Sequence, residues 1–166
     1  MGCLWELEVL VPFLVFLAFF NNFIGLVEAK PMYSVSTSIG YPVVPVGGAP
    51  SIGNGLQIVD PIGNGWSLMG DVGFNTNFVT FQPGSRLIVG ISRRVKSDGL
   101  NFGLSGSYKF SPDYGNGSAH IIGFGPAFIR PWDKVGLTVS FPIGYNLTTE
   151  SASISMVVTG TVRIVE

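Results

Sequence analysis

The stretch that decides the fold runs from Val135 to Leu147 and reads VGLTVSFPIGYNL. Its odd-numbered positions are all apolar, whereas the even-numbered positions carry Gly, Thr, Ser, Pro or Asn. A period of two places these sets on opposite faces of a β-strand. At roughly 3.3 Å per residue the stretch spans about 40 Å, and about 9–11 tilted residues suffice to cross a bilayer. The stretch therefore predicts a long strand with one continuous apolar face.

The same alternation recurs through the chain after residue 30. Apolar residues alternate with small or polar ones at 33–41, 68–78, 87–94, 101–110 and 153–164, and 119–132 is apolar on both faces. Turn sequences such as Gln82-Pro83-Gly84-Ser85 separate these runs, so neighbouring runs should pair as antiparallel hairpins. Two prolines, Pro126 and Pro142, fall inside runs, and we expect β-bulges to absorb them.

The region from Pro45 to Gly65 breaks the pattern and has two interpretations. It is rich in Gly and Pro and contains Ile-Gly-Asn-Gly twice, at 52–55 and 62–65, and we interpret both copies as turns. The region is either one long loop, the best candidate for contact with an extracellular partner, or it contains a short strand at 56–59. The short strand would bring the count to eight, the smallest number in bacterial single-chain barrels.

Composition excludes several classes of protein. Charged residues make up 11% of the 166 residues and hydrophobic residues 46%, yet the chain has 23 glycines. So many helix breakers argue against a bundle of membrane helices and suit strands that face lipid. With a net charge of −1 and no basic stripe, no nucleic-acid partner is expected. A single His and a single Cys predict no metal site, and no cofactor motif is present.

The amino-terminal segment reads as an export signal. An apolar core from Val9 to Phe20 is followed by Val27-Glu28-Ala29, with small residues where a signal peptidase cleaves. We predict a signal helix over residues 1–29, cleaved or retained as an anchor, and a β-barrel domain over residues 30–166. Export and a barrel together place the protein in an outer membrane.

The polar face of the strands indicates which side is inside. A soluble sheet usually shows Lys, Glu and Arg to water, whereas this face carries mostly Gly, Ser, Asn and Thr, which fit inside a narrow barrel. The fold class is therefore all-β: an antiparallel up-and-down transmembrane barrel of about eight strands. The predicted lipid-facing residues are Phe102, Leu104, Tyr108, Leu137, Val139 and Phe141. The predicted polar network in the lumen is Asp71, Arg94, Lys109 and Arg163, with Asp71 paired to one of the bases.

The strand Gly103-Leu104-Ser105-Gly106-Ser107-Tyr108-Lys109-Phe110, together with the signal-like start, resembles small outer-membrane β-barrel proteins of Gram-negative bacteria. The resemblance covers about residues 31–165 and is one of pattern. It implies outer-membrane lipid as the surroundings and a structural, adhesive or small porin-like role without enzymatic activity.

Two alternative functions remain. A secreted soluble barrel or sandwich would carry an apolar ligand inside. A lipid-modifying enzyme would use His120, the one histidine, which shares a strand face with Ser118 two residues earlier. A histidine at a strand end after the turn Gly115-Asn116-Gly117-Ser118 explains the same pattern without catalysis, so we predict no catalytic residue.

Overall fold

The structure, a computed structural model, describes residues 31–44, 49–95, 99–115 and 117–165. The strands are β1 (Met32–Val44), β2 (Ser51–Gly63), β3 (Trp66–Asn77), β4 (Pro83–Arg94), β5 (Asn101–Ser111), β6 (Ala119–Pro131), β7 (Val135–Ser140), β8 (Ile143–Asn146) and β9 (Ser151–Val165). The predicted signal helix over residues 1–29 lies outside the described residues. Within them, no helix is long and apolar enough to cross a membrane.

The strands form one closed antiparallel barrel. Each of β1 to β6 pairs with the next, and β9 pairs with β1, which closes the wall. Both β7 and β8 lie between β6 and β9, so they share one strand position and the barrel has eight. The predicted all-β antiparallel barrel of about eight strands is thus confirmed.

The stagger of the strands makes the barrel narrow. Following the paired residues from strand to strand leads from Tyr33 around the wall to Val44 of the same strand, eleven residues further on, one of which is added by the register shift between Pro42 and Val44. Such a stagger in eight strands requires a tilt of about 40°, and the interior is then only wide enough for side chains to fill. Residues on opposite walls of the barrel can therefore touch.

One wall is interrupted where the two strand prolines meet. The break between β7 and β8 falls at Phe141 and Pro142, beside Pro126 of β6. The N–H of Phe141 donates to the Pro126 carbonyl at 3.1 Å, and the N–H of Ser155 donates to the Pro142 carbonyl at 3.1 Å. The neighbouring backbone therefore continues the ladder across the break. The register between β6 and the two half-strands is unchanged on either side of it, so the prediction of β-bulges at the two prolines is wrong.

The long-loop interpretation of Pro45 to Gly65 is wrong, because 51–63 forms the full strand β2. The second Ile-Gly-Asn-Gly copy does turn the chain: Asn64 and Gly65 have φ of 51° and 76°, the positive values of a tight hairpin. The first copy is extended and hydrogen-bonds to strands on both sides, so its interpretation as a turn is wrong. Of the loop proposed for an extracellular partner, residues 45–48 lie outside the described residues.

Burial is inverted relative to a soluble protein. The buried apolar side chains among the described residues are Met69, Phe110 and Ala127. The buried polar ones are Ser34, Ser36, Ser38, Gln57, Asp60, Asp71, Arg86, Ser92, Ser105, Thr138 and Thr159. Large apolar side chains instead point outward along every strand. The small, polar face of the alternation therefore lines the lumen.

Candidate functional site: the barrel lumen

An ion pair occupies the centre of the lumen. Arg86 on β4 and Asp71 on β3 lie with Nη2 and Oδ1 3.0 Å apart, and Arg86 Nε donates to the same oxygen at 3.1 Å. Their side chains are only 3% and 2% exposed. Two serines of β1 complete the cluster: Ser36 donates to Asp71 Oδ2 and accepts from Arg86 at 3.2 Å, and Ser38 also accepts from Arg86. Both charges are thus paired and hydrogen-bonded, as buried charges must be.

Arg86 spans the lumen from one wall to the other. It arises on β4 and reaches β1, three positions around an eight-stranded wall. Gly53 of β2 makes room, because a methyl group there would overlap the guanidinium; one on Gly55 would come within 3.0 Å of Asp71 Oδ1. The small inner residues of β1 and β2 thus form the space that a large side chain from the opposite wall fills. We call Ser36, Ser38, Asp71 and Arg86 the central cluster.

The lumen has little free space around the central cluster. A cavity of about 40 Å³ lies on one side, lined by Arg86, Lys109 and Ser107 among others, and one of about 20 Å³ lies beside Asp71 and Gln57. Neither cavity has room for more than about three water molecules, since one water needs about 10–15 Å³. The side chains therefore close the lumen at this level.

The four residues of the predicted lumen network separate into two groups. Asp71 belongs to the central cluster, and Lys109 pairs across the β4–β5 ladder with Arg86. Arg94 and Arg163 instead lie at the end of the barrel that holds Met32, where β1 begins and β9 ends. We call this end the near rim and the opposite end the far rim.

Arg86, the partner of Asp71, was absent from the predicted network. It directly follows Gln82-Pro83-Gly84-Ser85, a predicted turn, although β4 already begins at Pro83. Extending the alternation of β4 backward by one step would have placed it on the inner face with Ser92 and Gly90. That signal identifies an inward arginine but not its partner.

A larger cavity of about 370 Å³ opens at the near rim, and we call it the vestibule. Arg94, Asn101, Trp132, Lys134 and Arg163 contribute to its wall, together with serines and threonines of the inner face. Three basic side chains thus face one space. Its volume falls in the range of pockets for small molecules.

The outer surface carries aromatic residues toward both rims. Trp66 and Trp132 lie at the near rim, where Arg93 and Arg130 stand over their rings at 5.5 and 5.9 Å. At the far rim are Tyr41, Phe78, Phe81, Tyr108 and Tyr145. Of the predicted lipid-facing residues, Phe102, Leu104, Leu137 and Phe141 are exposed, and Tyr108 and Val139 are half-buried.

His120 lies on the outer face and bonds to a tyrosine. Its Nδ1 is 2.8 Å from the Tyr108 hydroxyl, and its ring lies 5.0 Å from that of Phe110. Within the described part of the chain, no hydrogen bond joins His120 to Ser118, the pair that the lipid-modifying hypothesis requires. No group of three or more His, Cys, Asp or Glu is placed to hold a metal ion among these residues either.

Comparison with known proteins identifies no relative: no family model, no curated protein and no solved structure matches this chain. The resemblance to small outer-membrane barrels therefore stays one of strand pattern. The geometry of the lumen and of the outer surface is what indicates the function of the protein.

Proposed function

We propose that this protein is a non-enzymatic outer-membrane β-barrel, exported by its amino-terminal segment and surrounded by lipid, with a structural or adhesive role. The observation that carries the proposal is the inverted burial: apolar side chains outside, serines and a buried ion pair inside. A soluble protein rarely exposes contiguous apolar patches larger than a few hundred Å². In a bilayer, this apolar outer surface contacts the apolar chains of the lipids instead of water.

Strand length and closure support the same proposal. Strands of 11 to 13 residues, such as β5 and β1, reach or exceed the about 9–11 residues needed to cross a bilayer with tilt. A closed barrel leaves no strand edge, so the backbone hydrogen-bonds internally, as a hydrocarbon environment demands. The aromatic residues at both rims match the girdles that flank the apolar band of membrane barrels.

The filled lumen favours a structural or adhesive role over a porin-like one. Arg86 bridges the walls, and the cavities beside it measure only about 40 and 20 Å³. A path for solutes would need this side chain to move and leave Asp71 without its partner. The same lumen is unsuited to binding an apolar ligand, since the polar and charged side chains of Ser36, Asp71 and Arg86 line it.

Fractionation of a Gram-negative host that expresses the full chain tests the membrane assignment. We expect recovery in the outer-membrane fraction, extraction only by detergent, and faster gel migration of the unheated than of the boiled protein. Recovery as a monomer in the detergent-free soluble fraction would contradict the proposal and favour the secreted soluble barrel.

A further inference from the structure

The vestibule concentrates positive charge at the near rim. Of the charged residues that the structure describes, Arg94, Lys134 and Arg163 face it together with one carboxylate, that of Asp133. No carboxylate of the described residues forms an ion pair with any of the three bases; Arg163 Nη2 instead contacts the sulfur of Met32. Basic side chains gathered without acidic partners repel one another, so an anion between them would relieve the repulsion.

The bases approach the space from opposite walls. Arg94 lies on β4, and Arg163 lies on β9, four positions around an eight-stranded wall. Lys134 is next to Arg163, because its carbonyl accepts from the Arg163 N–H at 2.9 Å. A ligand on the barrel axis could therefore be held from two sides at once.

We propose that the vestibule binds a phosphate monoester, free or as a lipid headgroup. Arg94 and Arg163 each present the planar fork that matches two phosphate oxygens, and Lys134 adds a point charge. Among the described residues, three bases against one acid leave a local charge of about +2, and a phosphate monoester carries about −1.5 to −2 at pH 7. A monovalent carboxylate would neutralise only half of that charge.

The remaining wall suits the organic part of such a ligand. Serines and threonines of the inner face offer hydroxyl groups, and Trp132 with Ile129 gives an apolar flank. Asn101, on β5 beside Arg94, has a buried amide oxygen with no hydrogen-bond partner. Its amide is thus free to turn its NH₂ toward an anion.

Titration calorimetry on the full-length protein in detergent micelles tests the site, with glycerol 3-phosphate as probe and acetate as the monovalent comparison. We expect saturable binding of the phosphate with a Kd below about 1 mM and much weaker binding of acetate. Arg163→Gln and Arg94→Gln should each raise the Kd about tenfold, since each removes a charge-assisted contact. Arg93→Gln is the matched control: the next residue, on the outer face, should leave the Kd within about twofold.

Vesicles distinguish the two sources of the phosphate. If the ligand is a lipid headgroup, protein in phosphatidylcholine vesicles should bind added phosphatidic acid more tightly than glycerol 3-phosphate, and Arg163→Gln should weaken both interactions. Absence of both interactions, equal affinity for acetate, or unchanged affinity in Arg94→Gln and Arg163→Gln would each overturn the proposal. The proposed phosphate binding does not depend on the membrane assignment. A protein that is recovered in the soluble fraction yet binds glycerol 3-phosphate would refute only the proposed function.

Discussion

Arg86 has the largest side chain of the central cluster, and its surroundings explain why neighbouring strands carry such small residues. Ser36, Ser38 and Gly53 lie where its guanidinium ends. A buried ion pair contributes little net stability compared with apolar packing, but removal of one partner is costly. The cluster is therefore a sensitive point of the fold.

The first prediction concerns this ion pair. Arg86→Met keeps the unbranched inner part of the side chain but removes the guanidinium and leaves Asp71 charged and unpaired, so the free energy of unfolding should fall by about 3–5 kcal/mol. Urea unfolding of the vesicle-inserted protein, followed by tryptophan fluorescence, measures it. The double variant Arg86→Met/Asp71→Asn should regain part of the loss. A loss below about 1 kcal/mol in Arg86→Met would show that the pair is dispensable.

The second prediction concerns the space that Gly53 leaves. Gly53→Ala should destabilise the protein by about 1–3 kcal/mol, because the new methyl group overlaps the Arg86 guanidinium. Gly106→Ala is the control, since a methyl group there lies 3.9 Å from its nearest neighbour and should change stability by less than about 0.5 kcal/mol. The same unfolding assay compares them, and equal losses would contradict the overlap.

At the scale of elements, one tetrapeptide occurs in two conformations. Ile-Gly-Asn-Gly at 52–55 is extended within β2, whereas its copy at 62–65 ends β2 and turns the chain. The local preference of Asn-Gly for a turn is the same in both copies. The difference arises because residues 52–55 are hydrogen-bonded by strands on both sides, which outweighs the local preference.

The third prediction concerns the depth of a strand residue in the bilayer. Val89 lies in the middle of β4 and Val43 near the far-rim end of β1, and they are 41% and 43% exposed. If lipid surrounds the barrel, Val89→Arg should cost about 2–4 kcal/mol of unfolding free energy and Val43→Arg about 0–1 kcal/mol. Urea titrations in vesicles measure both. Equal, small costs would indicate that water surrounds the outer face.

At the scale of the whole molecule, the filled lumen predicts that the protein conducts no ions when a voltage is applied across the membrane. The wild-type protein in a planar bilayer should give no steady conductance, because Arg86 bridges the walls near the middle of the barrel. The triple variant Met69→Ala/Arg86→Ala/Lys109→Ala should conduct, since Arg86 and Lys109 line the 40 Å³ cavity and Met69 lines both the 20 Å³ cavity and the vestibule. A steady wild-type conductance would favour the porin-like role instead.

The alternation of residue types by itself determined the fold class and most of the strands, but not the full length of β2 or the break of the run 135–147 into β7 and β8. A period of two persists over whole runs such as 135–147, and small polar residues on one face suit only the inside of a narrow barrel. These are local properties, readable without knowing which strands are neighbours. The same alternation, extended by one step, would also have placed Arg86 on the inner face.

Tertiary structure alone decided which inner residues meet. The partnership of Arg86 with Asp71 and the two serines, the separation of Arg94 and Arg163 into the vestibule, and the full length of β2 all depend on the stagger of the strands around the closed wall. That stagger sets the height of each side chain along the barrel axis. Because it results from the hydrogen-bonded register of all eight strand positions together, no single stretch of the sequence contains it.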